Sequence, residues 1–328
     1  MQQGEVPRFV STPKHYAYVK IAEGCAKQCA FCIIPKIKGP LKSKSIDQVV
    51  KDCLLLLDQG VQELILIAQD LGDFGKETRD KRTLVDLLQA ICKIDKPFWL
   101  RLLYLYPDEI TQELIDVIKA NRRICRYLDM PIQHIHDDML RAMRRKTSKK
   151  QIEETIMLLR RELPDIVIRT SLMVGFPGET EEHFQELLHF VRTYALDNIG
   201  IFPYSLEKES LSAAYEGHLT QEIKNERVRL LAKTQAETLK KHQKKWIGKQ
   251  LPVIVEGYHP DSPLLMQGRH YGQCPEIDGV VIINDGRRVQ AFGEIYIVEI
   301  TEVAGYDLVG RVISLHKKQQ KKGLALVS

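Results

Sequence analysis

From residue 16 to residue 245 short apolar runs alternate with longer amphipathic stretches, and this alternation limits the fold more than any other feature. Residues 16–21, 63–68, 98–103, 127–130, 166–174 and 198–204 read as strands; the run ELILIA at 63–68 is apolar enough for a strand buried on both faces. Between them, 46–57, 83–94, 108–120, 135–144, 148–162 and 181–194 carry helical periodicity, and a long charged helix follows at 221–246. Strands separated by helices pair in parallel through right-handed crossovers. Six such units fall short of a closed eight-stranded barrel. The expected fold class is therefore α/β, a partial parallel (β/α)6 barrel.

After Gly248 the pattern changes. Residues 253–255, 264–266, 280–283, 291–298 and 308–313 are short strand candidates separated by Gly and Asp turn signals, which predicts a small all-β barrel of the OB type. The expected division is a linker at 1–15, an α/β core at 16–245, a β-barrel at 246–314 and a basic tail at 315–328.

Composition sets wide bounds. A 44% hydrophobic content suits a globular core, and a formal charge of +5 is too weak a bias to name a partner. No apolar stretch reaches the roughly 18 residues of a membrane span, and the N-terminus lacks a signal-peptide pattern, so a cytoplasmic location is the default expectation.

Of seven cysteines, three crowd together as Cys25-x3-Cys29-x2-Cys32 just after the first strand, at the end where β/α barrels build their sites. Cys53, Cys92, Cys125 and Cys274 are scattered, and Cys53 and Cys92 fall in apolar helical patterns where a thiol packs as a small hydrophobe. Three thiolates on one short loop suit a [4Fe–4S] cluster with one iron left open, which S-adenosylmethionine (SAM) can chelate. Zinc is the competing ligand, but it calls for a fourth donor, and His15 lies before the strand.

Around these cysteines the sequence reads YVKIAEGCAKQCAFCIIPKIKG, followed by GVQELILIAQD, YPDEITQELIDVI, LDMPIQH and TSLMVGFPGETEEHF. In order and spacing these segments resemble the radical SAM superfamily, and within it the methylthiotransferases, over almost the whole chain. The C-terminal barrel is similar to that family's TRAM domain. The segment from Cys274 to Gly279, CPEIDG, resembles the branch acting on an aspartate of small-subunit ribosomal protein number twelve rather than the tRNA-modifying branch. The resemblance implies a transferase that methylthiolates the aspartate β-carbon, with one SAM giving a methyl group and another a hydrogen-abstracting radical. It also implies a flavodoxin- or ferredoxin-type electron donor. The family carries a second cysteine triplet, holding a second [4Fe–4S] cluster, in an N-terminal domain that has no counterpart before residue 16, so the expectation is a fragment or a truncated frame. The family's YS-x-EEGTPA stretch reads YSLEKESLSAA at 204–214, a remodelled loop.

Further site candidates follow strand ends. Phe31 is placed to pack on the SAM adenine. Gln69 and Asp70 end the second strand, where the resemblance implies polar residues that bind the SAM amino group, although an Asp there also suits a cap. Asp129 and Gln133 bracket the end of the fourth strand and face SAM or substrate. Arg169 lies within the fifth strand and needs an anion, either the SAM carboxylate or a structural Asp or Glu. Gly175, in VGFPGET, lets the backbone approach the SAM ribose or adenine. His134 and His136 suit loop or capping roles, and Tyr104 and Tyr106 suit core packing or the barrel mouth.

Residues 246–314 hold five Lys and Arg against nine Asp and Glu, a formal charge of −4 that disfavours RNA and favours a basic ribosomal protein. Pro275 and Gly279 mark a turn expected to present Glu276 and Asp278 to solvent, where they would dock that substrate. The basic residues of the 221–246 helix read as a solvated face. Two rivals remain: a tRNA methylthiotransferase, and a truncated module that binds a ribosomal protein without modifying it.

Overall fold

In a computed structural model, which describes residues 12–316, β1 (Tyr16–Lys20) leads into an antiparallel pair, β2 (Ala22–Glu23) and β3 (Lys42–Ser43), with α1 (Ile34–Lys38) between them. The tail at 317–328 and the linker up to residue 11 lie outside the described residues. Then follow α2 (Ile46–Asp58), β4 (Glu63–Ile67), α3 (Leu84–Cys92), β5 (Trp99–Leu102), α4 (Gln112–Ala120) and β6 (Ile124–Asp129). The series continues through α5 (Asp137–Ala142), α6 (Lys149–Glu162), β7 (Val167–Val174), α7 (Glu181–Tyr194), β8 (Asn198–Pro203) and α8 (Gln221–His242). The six long strands form one open, wholly parallel sheet in the order β1-β4-β5-β6-β7-β8. This is the expected α/β architecture.

Side-chain alternation gives the sheet two unlike faces. Ala17, Val19, Leu64, Leu66, Leu100, Leu102, Leu128 and Ile168 join Val49, Leu56, Leu87, Leu88, Ile115, Ile156 and Leu187 of the helices in one apolar core. The opposite face carries Glu63, Arg101, Tyr127, Asp129 and Arg169, all buried. Arg101 Nε meets Glu63 Oε1 at 2.6 Å, and its guanidinium lies 4.6 Å from the centre of the Tyr127 ring. Helix starts follow capping chemistry: Ser45, Thr111 and Thr220 accept from backbone N–H groups, and Thr83, Ser148 and Thr180 form full capping boxes. The Thr111 cap moves the start of α4 to Gln112; residues 108–109, expected as the start of that helix, fall in a separate 3-10 turn, Pro107–Glu109. Along α8 the basic face is mostly exposed, but Lys224 and Arg227 are buried. At its far end Asp197 accepts from His242 Nε2 at 2.8 Å, Lys245 Nζ at 2.7 Å and Ile168 N at 2.9 Å.

The second unit is a closed five-stranded barrel of β9 (Gln250–His259), β10 (Ser262–His270), β11 (Val281–Asp285), β12 (Ile295–Ala304) and β13 (Asp307–Leu315), in the order β10-β11-β13-β12-β9. Its interior is filled by Val253, Val255, Val281, Ile283, Val298, Ile300, Leu308 and Val312. The segment Tyr271–Asp278, between β10 and β11, groups with the first unit. The barrel residues that remain, 246–270 and 279–314, carry five positive and seven negative side chains, so the formal charge of −4 becomes −2.

Candidate cluster and SAM site

The three cysteines sit on a loop pinched shut at its base by the β2–β3 pair. Gly24 opens the loop with φ +77°, and a Cβ there would lie 2.2 Å from Pro40 O, so only glycine fits. Cys25 N donates to Gly39 O at 3.3 Å across the loop. Cys29 is buried, and Cys25 and Cys32 are half-buried. Backbone N–H groups point at two of the sulfurs: Lys27 N lies 3.3 Å from Cys25 Sγ and Ile34 N 3.4 Å from Cys32 Sγ. Burial pushes both thiols up, and these N–H groups oppose that by favouring the thiolate.

Three further elements support the loop. Tyr106, after β5, places its Oη 3.6 Å from Cys29 Sγ. Arg145, after α5, places Nη1 3.6 Å from the same sulfur and stacks on the Tyr106 ring at 3.8 Å. From the loop's own middle, Lys27 Nζ reaches Glu109 at 2.8 Å, Asp70 at 3.2 Å, Asp73 at 3.3 Å and Asp108 at 3.9 Å, tying the cysteines to the ends of β4 and β5. Behind, Ser212 N donates to Ala30 O at 2.8 Å, so the 204–214 stretch braces the loop through a 3-10 turn. A cleft of about 390 Å³ opens beside Cys29 and Tyr106 and is lined by Lys27, Arg144, Arg145 and Lys146.

Spacing marked the cysteines but not Lys27, Arg145 or Tyr106 as their supports. The only available hint was position, since Lys27 lies between two ligand candidates and Tyr106 follows a strand end.

The other candidates divide. Gln69 lies at the end of β4, half-buried, with Oε1 buried and without a partner, free to accept from an ammonium. Asp70 instead caps the following 3-10 turn, accepting from Gly72 N at 3.0 Å, and faces Lys27; burial pushes its carboxyl up to about 6. Phe31 packs beside Ala30, Met139, Met143, Phe176 and Tyr204. Gln133 adopts φ 71° while its backbone bridges to β7, through N to Ser171 O at 2.9 Å and O from Met173 N at 2.7 Å. Gly175 has φ +76°, and the group against it is Lys224, whose Cγ would lie 2.4 Å from an added Cβ; its N–H donates to Glu179 Oε2. Arg169 takes the structural alternative, with Nη1 2.9 Å from Asp129 and Nε 3.6 Å from Asp278.

The docking expectation needs correction at Asp278. Its side chain is 1% exposed, accepts from Tyr127 Oη at 2.8 Å and Cys274 N at 2.9 Å, and faces Arg169. Burial pushes this carboxyl up, and Tyr127, Cys274 N and Arg169 oppose that. The Pro–Gly turn signal is local, whereas Tyr127 and Arg169 come from distant strands. Glu276 is exposed, and its carboxylate accepts from Tyr16 Oη at 2.8 Å.

His136 caps α5, accepting at Nδ1 from Asp138 N, and His134 Nδ1 accepts from His136 N. His136, Asp138 and His183 lie within 4.8 Å of one another, but His183 Nδ1 also accepts a backbone N–H. Coordination through either Nε2 would need a proton on an Nδ1 that now accepts, so the trio fits caps better than a metal.

Residues 19–191 match the Radical SAM superfamily, and residues 247–313 match the TRAM domain. The chain is 60% identical to a ribosomal protein uS12 methylthiotransferase RimO from Protochlamydia amoebophila, over 95% of this chain and 66% of that protein. To the RimO of Chlamydia abortus it is 51% identical over 96% of this chain and 69% of the relative. The RimO of Bdellovibrio bacteriovorus is 44% identical over 95% and 69%. The chain belongs to the RimO family of the radical SAM superfamily. It spans about two thirds of the length of these curated relatives, 66% to 69%. Among solved structures, the radical SAM methyltransferase TsrM from Kitasatospora setae shares the core fold at TM-score 0.50 and 18% identity, over 60% of this chain and 38% of that one. Family membership brings a [4Fe–4S] cluster and SAM as cofactors, and the residues present fit both. The loop offers three sulfurs with N–H donors on two of them, Arg145 Nε is a buried donor without a partner beside the third, and Gln69 Oε1 is an acceptor without one.

Proposed function

We propose that this chain is the SAM-cleaving core of a methylthiotransferase acting on an aspartate of ribosomal protein uS12. The observation that carries the reading is the cysteine loop, closed by the β2–β3 pair at the end of β1 and held by Lys27, Tyr106 and Arg145. Cys25, Cys29 and Cys32 would hold the cluster, and Gln69 Oε1 would accept from the SAM amino group. When bound, the pair supplies a carbon-centred radical able to remove hydrogen from an unactivated carbon. The protein's part is placement and exclusion of water: Phe31 and its apolar neighbours wall one side of the loop, and Gln133 is fixed by its bridge to β7. Identity to RimO relatives supports a ribosomal protein over tRNA as substrate. The barrel's charge of −2 adds little to that choice. A flavodoxin- or ferredoxin-type donor would supply the electron, and the cytoplasm is where a ribosomal protein would be met. Among the described residues no helix is long and apolar enough to cross a membrane.

Anaerobic reconstitution tests the site. The chain should take up about four irons and four sulfides, and with reductant convert SAM to 5′-deoxyadenosine. Cys29→Ala should hold far less iron. One tightly bound zinc and no sulfide would refute the reading.

A further inference from the structure

Two of the cations at the cysteine loop, Lys27 and Arg145, differ in one respect. Lys27 is surrounded by four carboxylates, those of Asp70, Asp73, Asp108 and Glu109. Arg145 is 7% exposed, yet among the described residues no carboxylate lies at ion-pair distance from it. Its guanidinium has the Cys29 sulfur at Nη1, the Pro131 carbonyl at Nη2, the Tyr106 ring beneath it, and no partner at Nε. A buried guanidinium stays charged and needs a compensating anion. Neutral groups alone provide none here. Cys29 Sγ, which can carry negative charge as a thiolate, lies 3.6 Å from Nη1.

We infer that Arg145 is a positioning residue that sets the reduction potential of the cluster by donating a charged hydrogen bond to its Cys29 ligand. The inference rests on the cluster reading above. Three thiolates leave the oxidised cluster with net negative charge, and reduction adds one more. A fixed cation at a ligand sulfur favours the more negative, reduced form, the form that delivers an electron to SAM. Hydrogen bonds to the sulfurs and local charge are the levers by which proteins tune such clusters. The Tyr106 ring holds the guanidinium plane in place, so Lys can supply the charge but not the stack.

The test compares wild type with Arg145→Gln and Arg145→Lys in the full 328-residue chain, reconstituted anaerobically with iron and sulfide and titrated by EPR. With iron content matched, Arg145→Gln should shift the reduction equilibrium at least tenfold toward the oxidised form, about 59 mV for one electron. Arg145→Lys should stay within about threefold of wild type, about 28 mV on the same scale. Equal potentials in wild type and Arg145→Gln would overturn the inference while leaving the cluster intact. A wild type that takes up no iron would sink the cluster reading itself. A second measurement needs no cluster. In cluster-free protein Arg145 lacks its anion, so Arg145→Met should unfold in urea at the same concentration as wild type or a higher one. A lower midpoint would show that the guanidinium serves the local fold, and would overturn the inference even if Arg145→Gln holds no iron.

Discussion

Replacing Asp278 by alanine removes the acceptor for Tyr127 Oη and Cys274 N and one of two carboxylates facing Arg169, all out of water. The expected loss is about 3 kcal/mol of unfolding free energy, read by urea titration. A loss below about 0.5 kcal/mol, usual for surface positions, would restore the solvent-facing view of this residue. Asp197 offers a pH test. Burial alone would raise its carboxyl, but the His242 hydrogen bond and the Lys245 charge outweigh it and hold the group at about 2. A carboxyl held below its unfolded value of about 3.9 contributes stability above that pH and loses it as pH falls toward the folded value. Asp197→Asn should therefore cost about 2 kcal/mol at neutral pH, with the deficit closing between about pH 4 and pH 2. Urea titrations across that range check it, and a deficit unchanged at the acid end would exclude the ionic account. At this scale the sequence was legible for residues whose meaning is local. Three thiols within eight residues show themselves, as do His136 at a helix start and the capping alternative for Asp70. Arg145 lies 116 residues from Cys29 and Tyr106 lies 77 away, and nothing in a linear spacing brings them together.

The element that decides whether the site forms is the hairpin base under the cysteine loop. Gly24→Ala would force a Cβ to within 2.2 Å of Pro40 O, a backbone atom that cannot swing aside, at a φ of +77°. The β2–β3 pair should open, and iron uptake should fall several-fold while the far-ultraviolet signal of the sheet and helices stays near wild type. Unchanged iron binding would show that the loop closes by other means. Elements read well from the sequence because alternation is a local property. The sequence places the six core strands, α7 at its observed bounds and four barrel strands close to where they lie, but it sets β12 at 291–298 where the strand runs Ile295–Ala304. Errors fall at ends, where a cap outweighs periodicity, as Thr111 does for α4, and at elements too short to carry a period, since β2, α1 and β3 have no counterpart in the sequence reading. Gly175 shows a subtler gap. Its backbone does permit close approach, but the group that approaches is Lys224, pinned by its 3.0 Å bond to Tyr204 O.

On the scale of the whole molecule, the four cysteines outside the loop are dispersed, three buried and Cys92 half-buried. These 328 residues hold no second triplet. Incubated with reductant, SAM and ribosomal protein uS12, this polypeptide should release 5′-deoxyadenosine and leave the ribosomal protein's mass unchanged. A gain matching one methylthio group would show that sulfur insertion needs nothing beyond these residues. The expected plan of an α/β core followed by a β-barrel matches the structure, but a plan read along a line could not show that eight barrel-side residues, Tyr271–Asp278, belong with the core. Because the chain returns to its first unit after leaving it, no single scission separates the two parts cleanly. A polypeptide ending at Lys245 would strip Arg101 of the Tyr271 carbonyl that its Nη1 holds at 2.8 Å, and leave Arg169 with one carboxylate instead of two. Its mirror image, starting at Trp246, would carry Asp278 and Cys274 with nothing to bury them. Dissection by protease or by gene truncation should then yield fragments that aggregate, and refolding should require both stretches on one continuous thread.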